Sequence, residues 1–231
     1  MAVPGAGEAD TDGIAYGVDD QASVRSVEAA VAAFQRGEFV VVADSESREN
    51  EGDLIIAGTH ATPSALNFMM SRGRGLICVA ITADRAAQLK LPPMVSHNED
   101  HLGTAFTVSV DGAACHGVTT GISASDRAQT VNLIVHGTAA DLRRPGHMFP
   151  LIARHGGTLE RQGHTEAAVD LARMAGVSPV AVLVEIIRDD GEMARLPDLQ
   201  EFSRVHGLEF IRIEDIIRYR TCRDGRLVWI S

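Results

Sequence analysis

Five carboxylates fall within ten residues of this chain: Asp44, Glu46, Glu49, Glu51 and Asp53, with Arg48 the single cation among them. They interrupt two apolar runs in the stretch VVVADSESRENEGDLIIAG, from Val40 to Gly58. Such runs predict two buried strands, at 39–43 and 54–57, held by a tight loop. Acids crowded into a loop repel one another, and a cation among them relieves the repulsion. Carboxylate oxygens and water suit Mg2+ or Mn2+ better than Zn2+. The alternative is a solvated acidic hairpin, and the loop alone does not decide between the two.

A second segment, Arg161-Gln162-Gly163-His164-Thr165-Glu166, runs directly into the helical pattern AAVDLARMAG. A helix N-terminus presents free N–H groups and a partial positive charge, which suit a phosphate. Arg161 adds a fork of donors, Gly163 permits close backbone approach, and the Thr165 hydroxyl can cap the helix or bind an oxygen. The same residues also read as an ordinary Thr-capped helix with a surface arginine. His164, at a helix start, is expected to favour the neutral imidazole that ligates metals.

Further along, RRPGH followed by MFP places His147 between two prolines, Pro145 and Pro150, which predicts a rigid turn holding the imidazole in a fixed direction. Either a structural or a catalytic histidine fits. Glu185 interrupts the apolar run VAVLVEII and shares a strand face with Leu183 and Ile187. A carboxylate buried there needs a partner, so it is either bonded to an arginine or serves as an acid/base. The segment GVTTGISASD, 117–126, offers glycines and hydroxyls ahead of a helix capped by Ser125 or Asp126. Together these elements suggest metal-assisted enediol chemistry on a small sugar phosphate. Isomerase, aldolase and lyase outcomes are not separable on these residues.

The whole chain sets the frame for that chemistry. Its 231 residues, 45% hydrophobic, suffice for a substantial core, and a net charge of −10 argues against a nucleic-acid partner. No apolar run approaches the roughly 18 residues of a membrane span, and no signal peptide pattern opens the chain. Cys78, Cys115 and Cys222 are odd in number and far apart, as fits reduced thiols in a cytoplasmic protein and no zinc site.

The predicted order begins with a flexible tail over 1–20. A helix follows with Ser23 as N-cap, Val24, Val27, Val31 and Phe34 on one face, and Gly37 at its C-terminal end. After the acidic loop come a helix from Thr62-Pro63 to about Arg72, a strand at 76–82 and a short helix at 83–89. A loop at 94–103 leads to a strand at 105–110, a helix at 126–135 and a short strand at 149–153. A helix at 165–175, the strongest strand at 180–187, a helix at 198–206, a strand at 208–213 and a helix at 214–220 complete the set. This alternation without a linker predicts one α/β (α+β) domain over 21–220, with helices packed around a mixed β-sheet and a C-terminal tail at 221–231.

The pattern D-x-E-x-R-E-N-E-G-D, then RPGH, RQGHTEA and the VLVE strand, in that order, resembles 3,4-dihydroxy-2-butanone 4-phosphate synthase of riboflavin biosynthesis. The likeness extends from about Ser23 to Arg220. It implies a lyase converting D-ribulose 5-phosphate to L-3,4-dihydroxy-2-butanone 4-phosphate and formate, by enediol formation, dehydration, skeletal rearrangement and loss of C4. A paralogue doing isomerase or retro-aldol chemistry on another phosphosugar is the alternative. The resemblance also implies Mg2+ or Mn2+, two ions per active site, and a homodimer with its sites near the subunit interface. Glu49 and His164 match metal ligands, Arg48 and Asp53 match substrate contacts, and Arg161 to Thr165 match the phosphate-binding segment. His147 and Glu185 match catalytic residues, with Asp44 and Glu46 assisting in positioning or acid/base work. Some members are fused to a zinc-binding GTP cyclohydrolase II domain. The tail TCRDGRLVWIS has neither its length nor its cysteines, so a monofunctional enzyme is expected.

Overall fold

The computed structural model describes residues 18–227. Among them a seven-stranded mixed sheet runs in the order β4-β5-β3-β6-β2-β1-β7. Its strands are β1 (Val40–Ala43), β2 (Gly52–Ala57), β3 (Cys78–Ile81), β4 (Val110–Gly112), β5 (Leu142–Ile152), β6 (Ala181–Glu185) and β7 (Glu209–Arg212). β1, β2 and β3 are buried along their whole length, as expected for strands covered on both faces.

Alternation sorts their side chains into two cores. Val41, Leu54, Ile56, Val79, Val182 and Val184 point to one face, where Leu66 of α2 (Pro63–Phe68), Ala86 of α3 (Ala83–Gln88), Ile134 of α4 (Ala124–His136) and Leu199 of α6 (Leu196–His206) pack. Val40, Val42, Ile55, Cys78, Ala80 and Leu183 point to the other. There Phe34 of α1 (Val18–Gln35), Leu171 of α5 (His164–Met174) and Ile216 of α7 (Ile213–Leu227) cover them. The expected α/β single domain, with helices around a mixed sheet, is what the structure shows.

Several boundaries differ from expectation. The first helix begins at Val18, so Ser23 lies within it, and its hydroxyl donates to Asp215 Oδ1 at 2.7 Å instead of capping. Of the expected N-terminal tail, 18–20 are therefore helical and 1–17 lie outside the described residues. The last helix continues past Arg220 to Leu227, and 228–231 lie outside the described residues. Thr62 caps its helix as expected, and Thr82, read as the end of a strand, caps α3; α4 is capped by Ser123, not Ser125 or Asp126. Asp126 instead accepts from the Thr119 amide and hydroxyl and the Gly121 amide, closing its own loop.

The largest correction concerns RPGH. Residues 149–153 were expected to be a short strand after a turn, yet β5 spans eleven residues and carries Arg144, Pro145, Gly146 and His147 within it. β5 lies second in the sheet, and the β4–β5 ladder breaks between Val110 and Asp111, so Pro145 removes no central ladder bond. The expected strand at 105–110 reduces to isolated bridges at Phe106 and Thr107 before β4.

Candidate active site

The acidic loop folds around Asp44. Its Oδ1 accepts the Glu51 amide at 2.9 Å, and its Oδ2 accepts the Glu49 amide at 3.0 Å and Arg48 Nη1 at 2.9 Å. With both oxygens engaged and its side chain 1% exposed, Asp44 braces the loop from inside. Glu46 is exposed at the turn. The remaining carboxylates, Glu49, Glu51 and Asp53, line a cavity of about 210 Å3 together with Arg48, Arg161, His164, Thr165 and Glu185.

Sheet topology assembles the cavity floor. β6 runs antiparallel to both of its neighbours, so its end meets the starts of β2 and β3. Asp53, expected on the loop, belongs to β2 and stands directly opposite Glu185. Cys78 stands opposite Leu183. Like charges directly opposite are unfavourable. Burial first, then Glu185, Glu49 and Glu51, push the Asp53 carboxyl up to about 7, against the opposing pull of His164. Burial also holds the Cys78 thiol well above its usual range, so it is a packing group and not a nucleophile. Glu185 is partly buried, as expected; it has no arginine partner among the described residues, and one oxygen accepts the Leu76 amide at 2.8 Å. A Cβ on Gly75 would stand 2.3 Å from that oxygen, so only glycine lets β3 begin so close to the carboxylate.

α5 brings in the opposite wall. Its N-cap is Gly163, which offers no side-chain cap, so Thr165 is not the cap and instead faces the cavity. Arg161 lies across this helix end, with Nη1 donating to Glu166 Oε2 at 2.6 Å, Nη2 to Thr104 Oγ1 at 3.1 Å and Nε to the Leu102 carbonyl at 3.1 Å. Each Nη keeps a second N–H for an anion. A Cβ on Gly163 would stand 2.1 Å from Arg161 Nη1, which explains the glycine. Gln162 is exposed and turned away from the cavity wall.

His164 is the metal-capable group. It is 7% exposed, its Nε2 is buried without a partner, and its Nδ1 lies 3.6 Å from Glu49 Oε2 and 4.0 Å from Asp53 Oδ1. Ligand atoms of Asp44, Glu49 and His164 fall within 4.8 Å of one another. Asp44 already accepts three hydrogen bonds, so Glu49 and His164 are the pair with the most capacity left to hold an ion. A buried imidazole with Nδ1 facing carboxylate oxygens and Nε2 left without a partner fits a divalent cation. The expected neutral imidazole is overturned for the metal-free protein. Burial opposes its charge, but Asp53, Glu49 and Asp44 outweigh it and raise His164 from 6.5 to about 9. In return His164, and then Arg48, hold Glu49 below its ordinary range against the effect of burial.

These shifts fix the sign of a pH effect. The stability that charged His164 lends the metal-free protein is fully present below 6.5 and is lost as pH rises through about 9. A cation must displace that proton, so apparent metal affinity should rise with pH up to about 9, approaching tenfold per unit. Calorimetric titration with Mn2+ in buffers of different ionisation enthalpy should show about one proton released per ion bound at pH 7.5. Affinity that stays flat between pH 6.5 and 8.5 would contradict it.

His147 lies elsewhere. It is exposed on β5, four residues before the cavity residue Leu151, about 13 Å away along a strand. Asp111 holds it twice, accepting the His147 amide at 2.8 Å and Nδ1–H at 2.7 Å, which leaves Nε2 free. Sequence reading missed Asp111, whose only signal was an acid at the end of an alternating run. It also missed Thr104 and Leu102, which meet Arg161 from a loop nearly 60 positions away.

Such an arrangement defines the class: an α/β protein with a carboxylate–histidine metal-capable site beside an anion-binding helix end. The chain belongs to the 3,4-dihydroxy-2-butanone 4-phosphate synthase family, whose model matches residues 28–219. It is 53% identical over 201 residues to the riboflavin biosynthesis protein RibBA of Aquifex aeolicus, covering 86% of this chain and 50% of that one. To the 3,4-dihydroxy-2-butanone 4-phosphate synthase of Photobacterium phosphoreum it is 50% identical over 198 residues, covering 85% and 54%. The chain thus spans about half the length of the curated relatives it matches. Among solved structures, a 3,4-dihydroxy-2-butanone 4-phosphate synthase in complex with two magnesium ions superposes with a TM-score of 0.83 at 44% identity, covering 86% of this chain and 98% of that one. RibBX of A. baumannii, a two-domain synthase, superposes with a TM-score of 0.81 at 46% identity, covering 84% and 57%. No helix among the described residues is long and apolar enough to cross a membrane.

Proposed function

We propose that this chain is a lyase that converts D-ribulose 5-phosphate to L-3,4-dihydroxy-2-butanone 4-phosphate and formate, for riboflavin biosynthesis. The observation that carries this is the placement of Glu49 and His164 next to Asp53 and Glu185 in one cavity, under the bare N-terminus of α5. Glu49 and His164 would hold Mg2+, or Mn2+, with a second ion as in the magnesium-bound relative. A bound divalent ion supplies a Lewis acid that polarises neighbouring oxygens and acidifies the adjacent C–H. The free N–H groups of Arg161, the Thr165 hydroxyl and the first amides of α5 grip the phosphate. Arg48 orients the substrate hydroxyls at the rim.

Asp53, poised near neutrality, can take a proton next to the ketone to give the enediol and return it later. Glu185, fixed by the Leu76 amide, faces the same carbons and assists loss of the C1 hydroxyl as water. Skeletal rearrangement, addition of one water to the C4 carbonyl and departure of C4 as formate complete the conversion, so the water lost from C1 is balanced by the one taken up. Asp44 positions the loop, and Glu46 serves at its outer rim.

His147 is outside the cavity of its own chain, so it acts in a homodimer, reaching the site of a second copy with Nε2 while Asp111 holds the ring. Incubation with ribulose 5-phosphate and Mg2+, followed by a formate assay, tests the activity. Formate in equal amount to sugar consumed is expected. Consumption without formate would favour an isomerase or a retro-aldol lyase.

A further inference from the structure

The loop that bears Glu49 is gripped from both sides. From inside, Asp44 accepts the amides of Glu49 and Glu51. From outside, a residue with no place in the chemistry above closes the grip: Arg195 Nη1 donates to the Glu49 carbonyl at 2.9 Å and to the Asn50 carbonyl at 2.6 Å. It also lies 3.9 Å from Glu51 Oε1. Glu49 is therefore held at its N–H and its C=O at once, by residues 5 and 146 positions away.

The arginine itself is firmly presented. It follows a short hairpin closed by Arg188 N–H to the Glu192 carbonyl at 2.8 Å and Ala194 N–H to the Ile186 carbonyl at 3.0 Å. It occupies the N-cap position of α6, where Asp198 Oδ2 accepts its amide at 3.0 Å. On the loop side the grip matters because Asn50 sits at φ 56°, a left-handed conformation that costs a non-glycine residue energy and needs outside support. Without the guanidinium, two carbonyls lose a charge-assisted donor and the strained residue next to Glu49 can relax. The Glu49 carboxylate would then lose its fixed approach to His164.

We propose that Arg195 is a positioning residue: by clamping the carbonyls of Glu49 and Asn50 it holds the Glu49 carboxylate in register with His164 and so sets divalent-metal affinity. This rests on the assignment of Glu49 and His164 as the metal pair. Groups that orient a metal ligand from behind are worth about 10–100-fold in metal affinity.

Mn2+ binding to the full chain, followed by electron paramagnetic resonance of the free ion, reads the effect without turnover. Arg195→Ala is expected to weaken Mn2+ binding at least about tenfold. Arg195→Lys, with a cation but no planar fork, should recover part of the loss. Guanidinium ion added in solution should restore affinity to the Ala variant and leave wild type unchanged, a response that general loss of packing would not give. Circular dichroism checks that each variant is folded; should Arg195→Ala not fold, Arg195→Lys and Arg195→Gln carry the same comparison. Wild-type Mn2+ affinity in the folded variants overturns the clamp. If Glu49→Gln also binds Mn2+ as wild type does, the metal assignment itself has failed, and the two failures are told apart.

Discussion

Replacing Glu49 by glutamine is expected to abolish turnover and to weaken divalent-metal binding by more than about a hundredfold while the fold survives, because a ligand is lost and not merely its support. The amide is nearly isosteric, and the backbone of Glu49 stays pinned by Asp44 and Arg195. Only the charge leaves. His164 loses one of the carboxylates that raise it, so its imidazole should titrate below about 9 in the metal-free variant, a shift that NMR reads directly. kcat should fall by about a thousandfold or more, the scale of losing one electrostatic stabiliser in a desolvated site. Near-normal kcat with wild-type Mn2+ affinity would remove Glu49 from the metal site.

The second large effect is complementation between copies. His147→Ala and Glu49→Gln should each be inactive as pure proteins, since each lacks one part of every site. A heterodimer of the two places both defects in one site and leaves the other intact, if His147 serves the cavity of the second copy. Random mixing after co-expression then restores about a quarter of wild-type activity, from half the dimers carrying one good site each. A histidine that served its own chain would give no recovery at all. The geometry behind this is the separation of His147 from the cavity along β5 and its fixed tautomer against Asp111.

Much of the architecture was legible from sequence because the strands here are short apolar runs with both faces covered, a pattern that needs no partner to be recognised. Thr62-Pro63 announced its helix by local chemistry alone. What failed was non-local. The RPGH segment looks like a turn in isolation, and it runs on as strand because the chain on both sides of it is paired: Leu142, Arg143 and Met148 with β4, and Phe149–Ile152 with β3. Ser23 looks like a cap until Asp215 arrives as its partner. The members of the site were visible as residue types, but their mutual positions depend on antiparallel register, which set Asp53 opposite Glu185 and moved it from loop to floor. The charge state of His164 was misjudged for the same reason: its helix end is local, whereas the three carboxylates that outweigh it come from a distant loop and strand.

The apolar part of the cavity floor is made of Cys78, Leu151 and Leu183, and these same side chains belong to the core that seats α1, α5 and α7. A substrate longer or bulkier than the space allows finds no give there, since pushing the floor means repacking a close-packed interior. The rim is of another kind: Arg48 and Glu49 sit on a loop, and Thr104 ends a segment whose residues 92–101 are all exposed. The molecule thus works as a gauge whose anvil is built from the core and whose jaw is built from loops. Drift in what it accepts would be written in the loops at 44–51 and 94–104, while the floor is held constant by the separate demand that the protein remain folded.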